Sequence, residues 1–168
     1  MDIVSHALIG RAIASSPNNS KMNNFWIIFF SILPDAPAAF TYIYLGIFNS
    51  RPFGIALDTD WIGFREFHYF LSAASDAFHS IFLALIVIYF IIKYFKLPVM
   101  ALLAYCSHIF FDLFSHTGEW SVSPLYPLQY QIDGFSDAWA WPFWAMAVSW
   151  VVLLIIIILI EIYHKHIH

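Results

Sequence analysis

Four stretches of the chain, residues 25–48, 69–95, 97–116 and 139–161, run for 20 residues or more with at most two Asp, Glu, Lys or Arg apiece. A helix of about 20 residues rises about 30 Å, which matches the hydrocarbon thickness of a bilayer. These segments constrain the fold more than any motif does, because each predicts a transmembrane helix. The composition agrees: of 168 residues, 61% are hydrophobic and 11% charged, where a soluble domain carries about 25% charged residues. The expectation is an all-α integral membrane bundle of about four transmembrane helices, forming one membrane-embedded domain over residues 1–168.

Shorter features refine that picture. Residues 3–14 (IVSHALIGRAIA) read as an apolar helix too short to cross, lying at the interface or dipping in as a re-entrant half-span. Residues 15–24 have turn and cap chemistry, while 49–68 read as an exposed loop or surface helix and 117–138 as a loop without Lys or Arg. Pro34 and Pro37 flank Asp35 inside the first span, so that helix is expected to be broken at Pro34–Asp35. With four crossings, Arg11, Lys21, Lys93, Lys96 and Lys165 fall on one side and Arg51 and Arg65 on the other. This excess predicts cytoplasmic termini in a multi-pass protein of the cell membrane, with an inner-membrane location. Cys106 is the only cysteine, so there is no disulfide framework; the formal charge of -4 without a basic patch argues against a nucleic-acid partner. The acidic Asp2 and the lack of a basic lead-in argue against a cleaved signal peptide.

Against this apolar background the segment HIFFDLFSH, residues 108–116, is costly to place. His108, Asp112 and His116 are four residues apart and form one helical stripe. Counted at 1.5 Å per residue, Asp35 lies about 15 Å into its span, His79 about 15 Å in from the opposite face and His108 about 16 Å. Three helices thus deliver ionisable groups to similar depth. Asp76 sits one turn before His79, and His6 can join only if the short first helix dips inward. A divalent metal is the economical joint solution for imidazoles and carboxylates on neighbouring helices, since its charge offsets the carboxylates and the N/O donors suit zinc, manganese or iron. Plainer readings compete. His108 and Asp112 could be a pair that only locks helices, and Asp35 a cap. His79 could sit at the headgroups and His116 in a loop, with His164, His166 and His168 forming a wet tail.

SHALIG with His6, LPDAP with Asp35, the pair His79 and Ser80, and SHIFFDLFSHTG with His108, Asp112 and His116 followed by SPLYPL occur in this order along nearly the whole chain. In these motifs the chain resembles the membrane-bound, metal-dependent hydrolases of the YdjM-like type. The resemblance implies a helical membrane protein whose metal-binding set is His6, Asp35, His79, His108 and Asp112. The chain departs from the pattern before the His-Ser pair, where SDAFHS with Asp76 replaces a basic, glycine-containing lead-in. A different use of Asp76, or a different substrate, follows from that departure.

Residues and resemblance together predict hydrolysis at the membrane of a phosphoester of a lipid or other amphiphile through a metal-activated water. One or two ions, zinc or else manganese, would serve, because zinc lowers the pKa of a bound water from about 15.7 toward roughly 7. His116 is the candidate general acid or proton shuttle and Asp76 the reserve. Trp120, Tyr126, Tyr130 and Trp139 are placed to hold a headgroup at the interface. Two other classes fit the same residues: an ion or proton transporter using the His/Asp cluster as a pathway, and a structural membrane protein in which the cluster only joins helices.

Overall fold

The computed structural model of the chain describes residues 1–15 and 19–167. Their regular structure is helical, apart from one isolated antiparallel bridge between Val122 and Ile132. The first helix, α1 (Ile3–Ala14), starts at Asp2, whose carboxylate accepts from the N–H groups of Val4 and Ser5 at 3.0 Å each. That carboxylate also accepts from the Trp150 indole at 3.0 Å, which ties the start of α1 to the last helix. Ser15 and Ser20 supply the expected cap chemistry on either side of residues 16–18, which lie outside the described residues.

Helix α2 (Lys21–Ile32) passes through a single 3-10 turn, Leu33–Asp35, into α3 (Ala36–Phe48). Both prolines fall in the first turn of the segment they open, where a missing N–H costs no helical bond. The expected break is therefore a tightened turn within one helical run of 28 residues, Lys21–Phe48. The opposite happens in residues 69–95, expected as one straight span. There α4 (Tyr69–Phe78) and α5 (Ile81–Tyr94) meet at 57°, and α5 contains a π-helical turn over Ala84–Ile88. Helix α6 (Met100–Ser115) is shorter than the span read over 97–116, because Lys96 adopts a left-handed φ of 54° and His116 is already extended. Helix α7 (Phe143–Ile167) is the longest of the described helices and carries His164 and His166, the second exposed; His168 lies outside the described residues.

Among the described residues, Lys21–Phe48 and Phe143–His166 are long and apolar enough to cross a membrane, and α4 with α5 make a third crossing if the bent pair is one span. These helices support a multi-pass membrane protein, but not the about four span-length helices expected. The fourth candidate, α6, has 16 residues, a rise of about 24 Å.

The main apolar core lies between α1, α2, α5 and α6, where Ala14, Ile27, Phe30, Ile88, Ala104, Tyr105 and Ile109 are buried. A smaller core of Leu45, Ala56, Trp61 and Phe64 supports the segment between α3 and α4. That segment folds as short turns over Pro52–Gly54, Asp58–Trp61 and Phe64–Phe67, and Arg51 fixes it through a two-pronged bond to Asp60. Helix α1 packs on α2 so closely that a Cβ at Gly10 would lie 2.2 Å from the Ser31 hydroxyl oxygen.

Candidate metal centre

Helix α6 supplies His108 and Asp112, four residues apart and therefore on one face, at 1% and 0% exposure. The 3-10 turn before α3 adds Asp35, and the end of α4 adds His79. One donor atom from each of Asp35, His79, His108 and Asp112 lies within 4.8 Å of all the others. The His108 Nε2 is 3.0 Å from Asp112 Oδ2 and 3.5 Å from Asp35 Oδ1; the His79 Nε2 is 3.4 Å and 3.9 Å from the same two oxygens.

Long-range bonds place His79. Helix α4 stops there, the Ser80 hydroxyl donates to the Tyr126 carbonyl at 2.7 Å, and the Ile81 N–H donates to the Pro124 carbonyl at 2.9 Å. Backbone groups freed by the bend are thus satisfied from the loop that follows α6.

Both cluster histidines are fixed in one tautomer. His108 Nδ1 lies 2.7 Å from the Ser31 carbonyl and His79 Nδ1 lies 2.9 Å from the Ser75 carbonyl. A carbonyl only accepts, so each Nδ1 carries a proton and each Nε2 is the nitrogen turned toward the carboxylates. This is the outer support that metal-ligating histidines receive from backbone carbonyls. Asp112 is divided in the same sense. Its Oδ1 accepts from the Met1 amino group at 2.5 Å and faces His6 Nε2 at 2.9 Å, whereas its Oδ2 is buried without a hydrogen-bond partner. His108 Nε2 is likewise buried without a partner, although 3.0 Å from that oxygen. Two imidazole Nε2 atoms and two carboxylates, converging with orphaned polar atoms in an apolar bundle, fit a divalent cation whose charge offsets the pair of acids.

His6, Asp35, His79, His108, Asp112 and His116 are all brought together, and the condition that α1 reach the cluster is met. His6 stands beside the four converging residues: its ring stacks on His108 at 3.6 Å and its Nε2 meets Asp112, leaving its Nδ1 buried without a partner. His116 Nδ1 is 3.4 Å from Asp112 Oδ1. Asp76 does not join them. Its two oxygens take Arg65 Nη1 at 3.1 and 2.9 Å, and Arg65 also donates to the carbonyls of Glu119 at 2.9 Å and Ser121 at 2.7 Å. The Met1 amino group, 2.6 Å from Ser115 Oγ, and the orienting carbonyls of Ser31 and Ser75 carry no sequence signal that could have singled them out.

A cleft opens onto Asp35, His79, Asp112 and His116 and is walled farther out by Arg65, Asp76 and three tryptophans, Trp61, Trp120 and Trp139. The loop after α6 folds back over it. The Gly134 N–H donates to the His116 carbonyl at 2.7 Å, and a Cβ at Gly134 would lie 2.6 Å from the Phe114 carbonyl carbon. Asp133 accepts from the Gly118 N–H at 3.0 Å and from the Ser121 hydroxyl. Those bonds, the hydroxyl's first, hold the Asp133 carboxyl below the usual carboxylate range.

No family model matches the chain, and neither a curated protein nor a solved structure shows similarity to it. The resemblance to the YdjM-like hydrolases rests on its four short motifs. Independently of it, a buried His/Asp/His/Asp cluster in an apolar helical bundle is consistent with a metal-binding membrane protein.

Proposed function

We propose that this protein is a metal-dependent hydrolase acting at the membrane on a phosphoester of a lipid or other amphiphile. The observation that carries the reading is the convergence of donor atoms from Asp35, His79, His108 and Asp112 within 4.8 Å of one another. A divalent ion held by these four residues, zinc or else manganese, would supply Lewis acidity and bring the pKa of water down toward roughly 7.

The chain's own residues do the rest. Ser31 and Ser75 orient His108 and His79 through their carbonyls, and His6 steadies Asp112 by donating to Oδ1, which keeps Oδ2 turned inward. His6 is thus a positioning residue beside the ligands rather than one of them. His116 lines the cleft and touches Asp112, so it handles the proton delivered to the leaving oxygen. Asp76, with both oxygens on Arg65, contributes by fixing that guanidinium and the loop carbonyls it grips. The loop and its tryptophans shield the cleft from bulk water.

The test is metal content by elemental mass spectrometry on detergent-purified wild type beside Asp112→Ala, prepared without an affinity-column metal. One or two equivalents of zinc or manganese are expected in the wild type, with loss in the variant, followed by turnover in a panel of lipid and soluble phosphoesters. No metal in either protein after reconstitution sinks the reading. A fully metallated protein inert toward every phosphoester, but moving ions into proteoliposomes, would replace it with the transporter.

A further inference from the structure

Beside the cluster's cleft lies a second recess, walled by Tyr42, Trp61, Trp120 and Trp139 with Asp137 and Ala140. The four rings pack against one another along the wall. Tyr42 and Trp61 have centroids 4.8 Å apart, Trp61 and Trp120 4.3 Å, Trp120 and Trp139 5.3 Å, and Trp139 and Tyr42 5.9 Å. The wall is preformed, so little ordering is left for a ligand to impose. Trp61, Trp120 and Trp139 also wall the cleft that opens onto the His/Asp cluster, making the two spaces neighbours across shared side chains.

The chemistry of the lining selects a charge. Aromatic faces present negative quadrupole potential, and a wall of them attracts an ammonium group. Asp137 adds a formal negative charge and is the one charged residue among the described lining, with no Lys or Arg to favour an anion. Glu119 lines the adjoining cleft, where the single guanidinium, Arg65, is already matched by Asp76. A bound sugar would need several hydrogen-bonding side chains, and an acyl chain would meet the carboxylate.

We propose that this recess binds the ammonium group of the substrate, a trimethylammonium-type headgroup, against its aromatic wall and the Asp137 carboxylate. The substrate class is then a zwitterionic ammonium phosphoester, whose phosphoester reaches the cluster past the shared tryptophans. Placing the phosphoester rests on the hydrolase reading; recognition of the ammonium does not.

The experiment is ligand-observed NMR on the full chain in a maltoside detergent, which carries no ammonium of its own. Tetramethylammonium and phosphocholine are titrated beside glycerol phosphate and a methyl glucoside, and broadening of the methyl signals is followed. Saturable binding of the two ammonium compounds alone is expected. Trp139→Ala and Asp137→Asn should each weaken it by about tenfold, and Asn at 137 leaves the rings and an acceptor for the Trp139 N–H in place should the alanine variant fail to fold. A short-chain phosphocholine lipid that binds more tightly than phosphocholine assigns the recess to a membrane substrate, and equal binding assigns it to a soluble one. Either outcome upholds the ammonium site. Absence of saturation, or equal binding of glycerol phosphate or the glucoside, overturns it. Repeating the titration after chelator treatment separates the two readings: ammonium binding by a protein that never holds metal leaves this site standing without the hydrolase, and metal-dependent turnover without ammonium binding does the reverse.

Discussion

Helix α7 contains the run VVLLIIIILI, residues 151–160, and exposes most of it, including Val151, Leu154, Ile155, Ile158 and Leu159. Helix α6 is less apolar, carrying Ser107, His108, Asp112 and Ser115, yet it buries His108 and Asp112 completely along with Ala101, Ala104, Tyr105 and Ile109. In water the order would be reversed, with the most apolar helix at the centre. Here lipid solvates α7, and the protein interior is the refuge for groups that lipid cannot solvate. The difference teaches that burial in this molecule follows the need for a polar partner rather than hydrophobicity, so a buried stripe on α6 marks a site where the same stripe in a soluble bundle would mark only a core.

The largest effect should come from putting a charge where α7 excludes one. Ile155 is 51% exposed, and an Asp at the centre of a lipid-facing helix costs about 3 kcal/mol. Ile155→Asp should lower stability by about that amount in equilibrium unfolding from bicelles, and Ile155→Leu should be near neutral. An Asp variant as stable as the wild type would mean that this face is not in lipid, and the contrast between the two helices would collapse.

A second effect concerns what α6 needs from its neighbours and α7 does not. The His108 tautomer is set by a carbonyl on α2, and the position of that residue is set by the contact with α1 at Gly10. A Cβ there would lie 2.2 Å from Ser31 Oγ and 2.7 Å from Ser31 Cβ, so Gly10→Ala must push Ser31 and with it the carbonyl 2.7 Å from His108 Nδ1. Losing such outer support typically costs 10- to 100-fold in metal affinity, roughly. Competition with a chromophoric chelator should show a loss in that range with helix content unchanged. Affinity equal to the wild type would show that α1 can shift without moving the carbonyl, and that His108 holds its orientation from α6 alone.

The contrast also explains how much was legible in the sequence. Apolar length announced the bundle, and the spacing of His108 and Asp112 announced a common face, because both signals are local to one helix. Asp35 lies beside them because helical rise carries through the single 3-10 turn. The 57° bend at His79 and Ser80 had no proline or glycine to betray it. Its cause is the pairing of Ser80 and Ile81 with Tyr126 and Pro124, residues more than 40 positions away. Asp76 looked like a partner of His79 by spacing, but Arg65 claims it from outside the helix. Trp61 falls in a stretch that reads as an exposed loop or surface helix and is instead buried, packed against Tyr42, Phe64 and Trp120. What escaped in each case is a contact between distant segments, which no periodicity within one element can encode.

The smallest effect tests the loop that joins α6 to α7 and covers the polar end of the first. Asp133 accepts from the Ser121 hydroxyl and the Gly118 N–H, which keep its carboxyl below the ordinary range. A depressed folded-state pKa means that the stabilisation is complete above the unfolded value of about 3.9 and disappears as pH falls through the folded value below it. Between pH 7 and pH 5 the loop should therefore be indifferent to acid. Below about pH 4 protection of the Gly134 and Phe135 amides, which donate to the carbonyls of His116 and Phe114, should fall once intrinsic exchange is corrected for. Asp133→Asn should remove the acid-dependent part of that change while amides within α7 stay flat in both proteins. If those loop amides lost protection equally in the Asn variant, the acid response would belong to the buried carboxylates below the loop, and the boundary between the two helices' environments would lie deeper than the loop itself.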